Sequence, residues 1–249
     1  MNKITIRIAG RTVAVNAMYE STCKFLSGYQ WEGHAEFSVE ISPEDIALER
    51  EKAARENEIE GLPARSYTDA YLETTAVQRK IMEGLFEYDA LLFHGSVVAV
   101  DGEAYLFTAK SGTGKSTHTR LWREVFGERA VMVNDDKPIL RFDDGAVQAC
   151  GTPWNGKHHL GENICCPLKA ICVLERGEEN RIRKITPREA LLMLVQQSNR
   201  PQNPKLMPKY MELIDTMSQR VDFYRLECNI ESEAALVAYR VMSGKEENK

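Results

Sequence analysis

The chain has 249 residues, of which 43% are hydrophobic and 28% are charged, proportions that are ordinary for a globular protein and that exclude wholesale disorder. Its formal net charge of −5 gives no basic face for duplex DNA, so we expect no nucleic-acid partner. The sequence contains no apolar run of the ~20 residues that cross a bilayer, and we expect no membrane partner.

The six cysteines lack the C-x-x-C spacing of a metal or redox site, and the first residues contain no apolar core of a secretion signal. We therefore expect a cytoplasmic protein whose cysteines, including the adjacent Cys165 and Cys166, are structural thiols.

Residues 1–80 carry strand and helix patterns but no catalytic constellation. Alternating apolar residues in 4–15, interrupted at Ala9-Gly10, predict a strand pair, and 35–41 predicts another strand. Ser42 before Pro43 predicts a helix start, and we interpret the charged run 49–60 as a solvated helix face or a loop. We expect this part to pack on the core as an extension that completes its sheet or guides the substrate.

Residues 81–249 are predicted to form the core. A helical period over 71–88 leads into it, and a buried strand at 91–93 precedes a hairpin whose Asp101-Gly102 pair suits a type I′ turn. Thr186-Pro187-Arg188-Glu189 is a capping box that opens a helix. Strands are further expected at 131–133, 170–174 and 221–226, and helices at 210–217 and 233–242.

Residues 109–117, Ala-Lys-Ser-Gly-Thr-Gly-Lys-Ser-Thr, have the chemistry of a phosphate-binding P-loop (Walker A motif). Glycines let backbone N–H groups turn toward phosphate oxygens, Lys115 adds a positive charge, and Ser116 suits magnesium. The loop stands between a predicted strand and a predicted helix, as the motif requires, although Ala109 replaces its first glycine. We predict that nucleotide is bound by Ser111, Gly112, Thr113, Gly114, Lys115, Ser116 and Thr117.

Two adjacent acids, Asp135 and Asp136, follow a short apolar strand about twenty residues beyond Lys115. A carboxylate at such a strand end suits Mg²⁺ beside nucleotide phosphates. The second carboxylate is then available to take the proton of an attacking hydroxyl. A simple turn before Pro138 is the structural alternative.

Four features in this order, namely His94-Gly95-Ser96-Val97, the Asp101-Gly102 hairpin, residues 111–116 and Asn134-Asp135-Asp136, resemble the catalytic core of HPr kinase/phosphorylase relatives. That family shares with phosphoenolpyruvate carboxykinase a P-loop fold in which a hairpin leads into the loop. The resemblance implies an α/β (α+β) fold, with a mixed sheet and flanking helices in the core and a β-containing N-terminal part.

The same resemblance implies an ATP-dependent kinase that uses Mg²⁺ and associates into homo-oligomers. It implies that His94, Lys115 and Asp135 are catalytic, with Asp135 favoured as the base, and that Ser116 and Asp136 hold the metal. The roles of the two aspartates remain interchangeable at this point.

The sequence departs from the family downstream, where no Glu-Ile-Arg-Gly segment is present, so neither HPr nor a reverse phosphorylase reaction is implied. The corresponding stretch 151–159 is predicted to be a loop beside the site, in which Trp154 and Lys157 are candidate substrate-binding residues. The neighbouring His158 and His159 are adjacent, which is poor spacing for one metal ion.

The expected reaction is transfer of the γ-phosphoryl group to a hydroxyl, that of a serine in a peptide or protein. The alternatives are a kinase of a small hydroxyl compound, a nucleotide-binding regulatory protein without transfer, and a carboxykinase-like enzyme. The last is disfavoured because such enzymes are about twice as long and need further substrate residues.

Overall fold

A computed structural model describes residues 2–59, 61, 63, 65–110, 112–143, 145–156 and 158–245 of the chain. The chain divides into two compact units, Met1–Leu85 and Phe86–Lys249. Among the described residues, no helix combines the length and the apolar character that spanning a membrane requires.

The first unit contains a three-stranded sheet of its own with the order β1-β2-β3. Strands β1 and β2 are antiparallel across Ala9-Gly10, where both residues have positive φ, as a type I′ turn requires. The expectation that this part completes the main sheet is therefore wrong. The elements of this unit are β1 (Asn2–Ile8), β2 (Arg11–Ala17), α1 (Glu20–Leu26), β3 (Phe37–Glu40), α2 (Pro43–Ile59) and α3 (Asp69–Leu85).

Helices α2 and α3 of the first unit are joined by ion pairs. Arg79 of α3 lies against both Asp45 and Glu49 of α2, at 2.9 and 2.6 Å. The charged run 49–59 is thus helical, as one interpretation held, but Glu49 is buried instead of solvated.

The second unit contains a nine-stranded mixed sheet. Strands β4, β8, β9, β10, β6, β5 and β7 follow one another across it, and β12 pairs with both β10 and β11. The elements are β4 (Ala90–Leu92), β5 (Ser96–Val100), β6 (Glu103–Thr108), α4 (Lys115–Phe126), β7 (Ala130–Asn134), β8 (Ile139–Asp143), β9 (Ala146–Cys150), β10 (Cys165–Arg176), β11 (Arg181–Ile185), α5 (Pro187–Gln197), α6 (Met207–Arg220), β12 (Asp222–Cys228) and α7 (Glu233–Ser243).

Both faces of this sheet are covered, which confirms the α/β class with a mixed sheet and flanking helices. Alternate residues of β5 enter two different cores: Val97 and Ala99 pack with α5 and α6, whereas Val98 and Val100 pack with α4 and α7. The hairpin β5–β6 pairs in the register expected for Asp101-Gly102, and both turn residues have positive φ. It delivers the chain directly to the phosphate loop.

The capping box at Thr186 is confirmed, since its hydroxyl accepts a hydrogen bond from Glu189 N and the Glu189 carboxylate accepts one from Thr186 N. Three strands of the sheet, β8, β9 and β11, and the short helix α1 were not predicted. Strand β11 alternates charged residues with Ile182 and Ile185, so it carries few of the apolar residues that mark a strand.

A disulfide joins Cys150 at the end of β9 to Cys165 at the start of β10. The two residues face each other in the antiparallel register, with their Cα atoms 4.1 Å apart. Successive residues of a strand point to opposite faces, so Cys165 meets Cys150 while its neighbour Cys166 does not. The prediction of thiols is therefore wrong for this pair, although Cys23, Cys166, Cys172 and Cys228 are free.

Candidate nucleotide and phosphoryl-transfer site

The phosphate loop connects β6, which ends at Thr108, to α4, which begins at Lys115. Gly112 and Gly114 have φ of 76° and 126°, values that side chains strongly disfavour, so the loop needs glycine at these two positions. Ala109 is not among the residues with positive φ, so its methyl group is compatible with the local backbone. Ser111 lies outside the described residues.

The first turn of α4 presents backbone N–H groups to the loop. Gly114 is the N-cap and provides no side-chain cap, and the first N–H groups of a helix have no partner within it. Together with the positive end of the helix dipole, these groups favour an anion such as phosphate.

Lys115 is the first residue of α4 and adds a positive charge to these N–H groups. Its Nζ donates to Ala109 O at 3.2 Å, which folds the side chain back over the loop. Burial lowers the pKa of Lys115, and the negative charges of Asp136 and Asp135 only partly oppose this effect. The described residues thus compensate the positive charge of Lys115 only in part, which suits an anionic ligand at this position.

Arg176, at the end of β10, donates hydrogen bonds to two carbonyls of the phosphate loop. Its Nη2 donates to Gly112 O at 2.5 Å and its Nε donates to Thr113 O at 3.2 Å. These contacts fix the orientation of the loop peptides, of which the Thr113 N–H donates to Lys110 O at 3.2 Å. Arg176 is not predicted from the sequence, because nothing local relates it to a loop more than sixty residues earlier.

The two aspartates are oriented by Asn134, which is fully buried. Its Oδ1 accepts from Asp136 N at 2.9 Å and from Lys137 N at 2.6 Å. Its Nδ2 donates to the Oγ1 of Thr152, which ties the turn to the loop after β9. The turn that was the structural alternative is thus present, and it positions the carboxylates.

Asp135 is only 6% exposed and lies on the α4 side of this turn. Its Oδ1 accepts a hydrogen bond of 2.7 Å from Ser96 Oγ, which is itself 2.9 Å from Thr119 Oγ1 on α4. Opposite its Oδ2 stands Gly156, where an added Cβ would lie 3.0 Å from that oxygen. With glycine at this position no side chain crowds Oδ2.

Asp136 pairs with His94, whose Nε2 lies 3.3 Å from Asp136 Oδ1. Burial acts to raise the pKa of Asp136, but the hydrogen bond from His94 and the charges of Lys137, His94 and Lys115 outweigh it, and the pKa is lowered. The two backbone segments are joined as well, since Gly95 N donates to Asp136 O at 3.0 Å. His94 and Asp136 therefore form a hydrogen-bonded pair beside the loop.

The loop 151–161 contributes unevenly to the site. Thr152 and Gly156 contact the aspartate turn, and His158 borders the same cavity as Asp135. Trp154 is half-buried in this loop and is not among the described residues that line either of the cavities defined below. The prediction for Lys157 falls outside the described residues.

Two cavities flank the first turn of α4. The aspartate cavity, about 580 Å³, is bordered by Ser116, Thr117, Thr119, Arg123, Asp135 and Leu160, among others. The glycine cavity, about 420 Å³, is bordered by Gly112, Thr113, Gly114, Leu121, Leu174 and Ile230, among others. Thr117 borders both, so the two cavities approach each other at the phosphate loop.

The residues present fit a magnesium ion bound together with nucleotide. Ser116 and the aspartates offer the oxygen donors that Mg²⁺ prefers, and Mg²⁺ at such sites commonly uses one or two carboxylates plus phosphate oxygens. The described residues contain no group of three or more His, Cys, Asp or Glu that could hold a metal ion.

Comparison with protein-family models gives a match of residues 62–241 to the ScmC family, described as SynChlorMet cassette protein ScmC. This range covers nearly three-quarters of the chain and includes His94, the phosphate loop and both aspartates. No curated protein matches the chain.

Among solved structures, the chain is similar to the Hpr(Ser) kinase/phosphatase from Coxiella burnetii, with 12% identity and a TM-score of 0.37 over 61% of this chain and 95% of that one. At this TM-score the similarity carries no argument about fold or function.

Proposed function

The chain belongs to the ScmC family of SynChlorMet cassette proteins, and we propose that it is an ATP-dependent kinase that phosphorylates a hydroxyl, that of a serine in a peptide or protein. One observation carries the proposal: Ser116 of the phosphate loop and the buried Asp135 border the same cavity. A phosphate-binding loop and a carboxylate that can accept a proton thus face one space.

The phosphates of ATP are assigned to Lys115 and to the N–H groups of residues 112 and 114–117, since the N–H of Thr113 donates to Lys110 O. Three features support this assignment: the glycines with positive φ, the helix N-terminus and the partly compensated charge of Lys115. Catalysis in phosphoryl transfer comes mainly from positioning and charge stabilisation, which these groups supply.

Asp135 is assigned as the base. Ser96 donates to its Oδ1, and its Oδ2, which no side chain crowds at Gly156, is assigned to the acceptor hydroxyl. As the hydroxyl oxygen bonds to the γ-phosphorus, its proton passes to Asp135, the bond to the β–γ bridging oxygen breaks, and ADP leaves with that electron pair.

Ser116 and Asp136 are assigned to hold Mg²⁺, which neutralises charge on the phosphates when bound. The lowered pKa of Asp136 keeps its carboxylate ionised for this role. His94, paired with Asp136, orients that carboxylate near the transferred group. Trp154 and Lys157 remain candidates for contacts with the acceptor.

The test compares the full-length protein with Asp135→Asn in the presence of ATP, Mg²⁺ and a panel of serine peptides and small alcohols. Mass spectrometry identifies any acceptor that gains a phosphate, and a thermal shift reports ATP binding. We expect Asp135→Asn to lose transfer while ATP still protects it. Asp215→Asn on the exposed face of α6 is the matched control and should transfer at the wild-type rate.

Undiminished transfer by Asp135→Asn would reject the assignment of the base. ATP protection of the wild type without phosphate transfer to any acceptor would favour a nucleotide-binding regulatory protein. ATP consumption that depends on oxaloacetate would revive the carboxykinase alternative.

A further inference from the structure

We infer that the glycine cavity binds the nucleoside of the nucleotide, with the base against Leu121, Leu174 and Ile230, and that the acceptor therefore enters by the aspartate cavity. The inference rests on the proposed function only in taking the triphosphate to lie on the loop. It assigns the nucleoside to the glycine cavity and the acceptor to the aspartate cavity.

The lining of the glycine cavity changes character from one end to the other. At one end are the backbones of Gly112, Thr113 and Gly114, which suit phosphate oxygens. At the other end Leu121 of α4 and Leu174 of β10 provide buried apolar walls, and Ile230 after β12 is 73% exposed. A ligand that suits this lining has an anionic end and an apolar, flat end, as a nucleotide does.

An exposed isoleucine at a cavity rim loses its contact with water when a flat ring packs against it, and this burial favours binding. Ile230 lies just beyond β12, where Asn229 is fixed by its own contacts: its Nδ2 donates to Glu178 O at 3.0 Å, and its Oδ1 accepts from Glu231 N. The backbone that carries Ile230 is therefore held in place at the rim. Small-molecule pockets are mostly apolar with a few placed polar groups, and they commonly have ~300–1,000 Å³, which includes this cavity.

His118 supplies a polar group on the same cavity. It is 2% exposed, and its Nε2 accepts a hydrogen bond from Trp122 Nε1 at 3.0 Å, so the proton of the neutral ring is on Nδ1. Burial lowers the pKa of His118 to about 3, which keeps the ring neutral near pH 7. Its Nδ1 is buried and has no hydrogen-bond partner in the described part of the chain. A nucleoside that reaches this nitrogen with a ring nitrogen or a ribose oxygen would supply the acceptor that the donor lacks.

The charged residues around the two cavities favour the same placement of the base and the acceptor. In the glycine cavity Arg176 is occupied by the loop carbonyls and Glu175 is paired with Arg225 at 2.6 Å, so no charged group there opposes a neutral base. The aspartate cavity is instead bordered by the charged residues Arg120, Arg123, Glu124 and Asp135, and the Asp135 carboxylate is the group suited to accept a proton from a neutral hydroxyl. The base and the acceptor thus lie on opposite sides of Thr117.

The experiment measures the dissociation constants of ATP, inorganic triphosphate and adenosine for the full-length protein by calorimetry or ligand NMR. Ile230→Asn is compared with Leu160→Asn, a matched change of another exposed apolar residue that borders the aspartate cavity. Losing the apolar contact is expected to raise the constants of ATP and adenosine about tenfold, while that of triphosphate stays unchanged. Leu160→Asn should leave all three constants unchanged.

Unchanged ATP and adenosine affinity in Ile230→Asn, or an equal loss in Leu160→Asn, would overturn the inference. Wild-type protein that binds triphosphate as tightly as ATP, or that binds none of the three probes, would overturn it as well. If adenosine binds and responds to Ile230→Asn while triphosphate does not bind, the nucleoside site stands and the loop's role in the proposed kinase fails.

Discussion

Buried carboxylates occur in both units of the chain, but their partners differ. In the first unit Glu73 is fully buried and accepts hydrogen bonds from Met18 N, Tyr19 N and Thr22 Oγ1. In the second unit the buried Asp135 accepts one hydrogen bond from Ser96 and has no ion pair within the described residues.

The same contrast holds for two partly buried cations. Arg79 of the first unit touches two carboxylates, whereas Lys115 of the second unit donates, among the described residues, to the backbone carbonyl of Ala109. A buried charge that is fully partnered stabilises a particular packing, and removing one partner is costly. A buried charge with spare capacity costs stability and is typical of a binding or catalytic site. The number of partners therefore distinguishes the charged residues that stabilise the fold from those that we assign to function.

The largest expected effect on stability is that of Arg79→Ala. It removes the cation that Asp45 and Glu49 share, while Lys80 and Lys52 remain paired with them, and we expect a loss of about 3 kcal/mol in the free energy of unfolding, measured with urea. Arg50→Ala is the control, because its pair with Asp69 joins the same two helices but is about half exposed, and it should cost under about 1 kcal/mol. Equal losses would remove the distinction between buried and exposed pairs.

Lys115→Ala tests the opposite kind of charge. It removes a preorganised cation from the phosphates, and we expect phosphoryl transfer to fall at least about 100-fold, or about 3 kcal/mol in the barrier. The free energy of unfolding should not fall, because burial disfavours the charged form of Lys115. Lys110→Ala, an exposed lysine of the same loop, should change neither quantity. A destabilised Lys115→Ala protein would place this lysine among the structural charges.

The disulfide of the second unit restrains the site loop by a covalent bond, where the first unit uses ion pairs. Replacing Cys165 by Ser opens a loop with a sequence separation of 15 residues, and we expect a loss of about 3 kcal/mol in the free energy of unfolding. Cys166→Ser, at the neighbouring free thiol, should cost less. The difference should vanish under reducing conditions; if it persists there, the effect does not come from the bond.

The smallest effect is a pH dependence that belongs to the first unit. Burial acts to raise the pKa of Asp45, but hydrogen bonds from Lys80, Ser42 N and Arg79 outweigh it and lower the pKa from 3.8 to about 2. A carboxyl group whose pKa is lower in the folded than in the unfolded state stabilises the fold at pH values above its unfolded pKa. This contribution is lost as pH falls from about 4 to about 2. We expect it to be about 2 kcal/mol, from the pKa shift.

The measurement follows unfolding free energies of the wild type and Asp45→Asn from pH 6 to pH 2. The two curves should converge on acidification, because the variant has no proton to gain at that position. Parallel curves would show that Asp45 titrates at its ordinary pKa.

The segments that the sequence predicted well are those with local causes. The hairpin is set by Asp101-Gly102, the helix α5 by its capping box, and the phosphate loop by glycines between a strand and a helix. Strand β11 was missed because its position depends on pairing with β12, forty residues later, more than on its own residues. The disulfide was missed for the same reason, since it depends on the register of β9 against β10.

By itself, then, the sequence determined that a glycine-rich loop lies between a strand and a helix and that an aspartate pair follows a strand, because backbone conformation and residue chemistry are local properties. Only the tertiary structure decided that Arg176 donates to the loop carbonyls, that Ser96 donates to one oxygen of Asp135, and that Thr117 borders two cavities. Those arrangements are contacts between residues distant in the chain, and sheet pairing and helix packing alone bring them together.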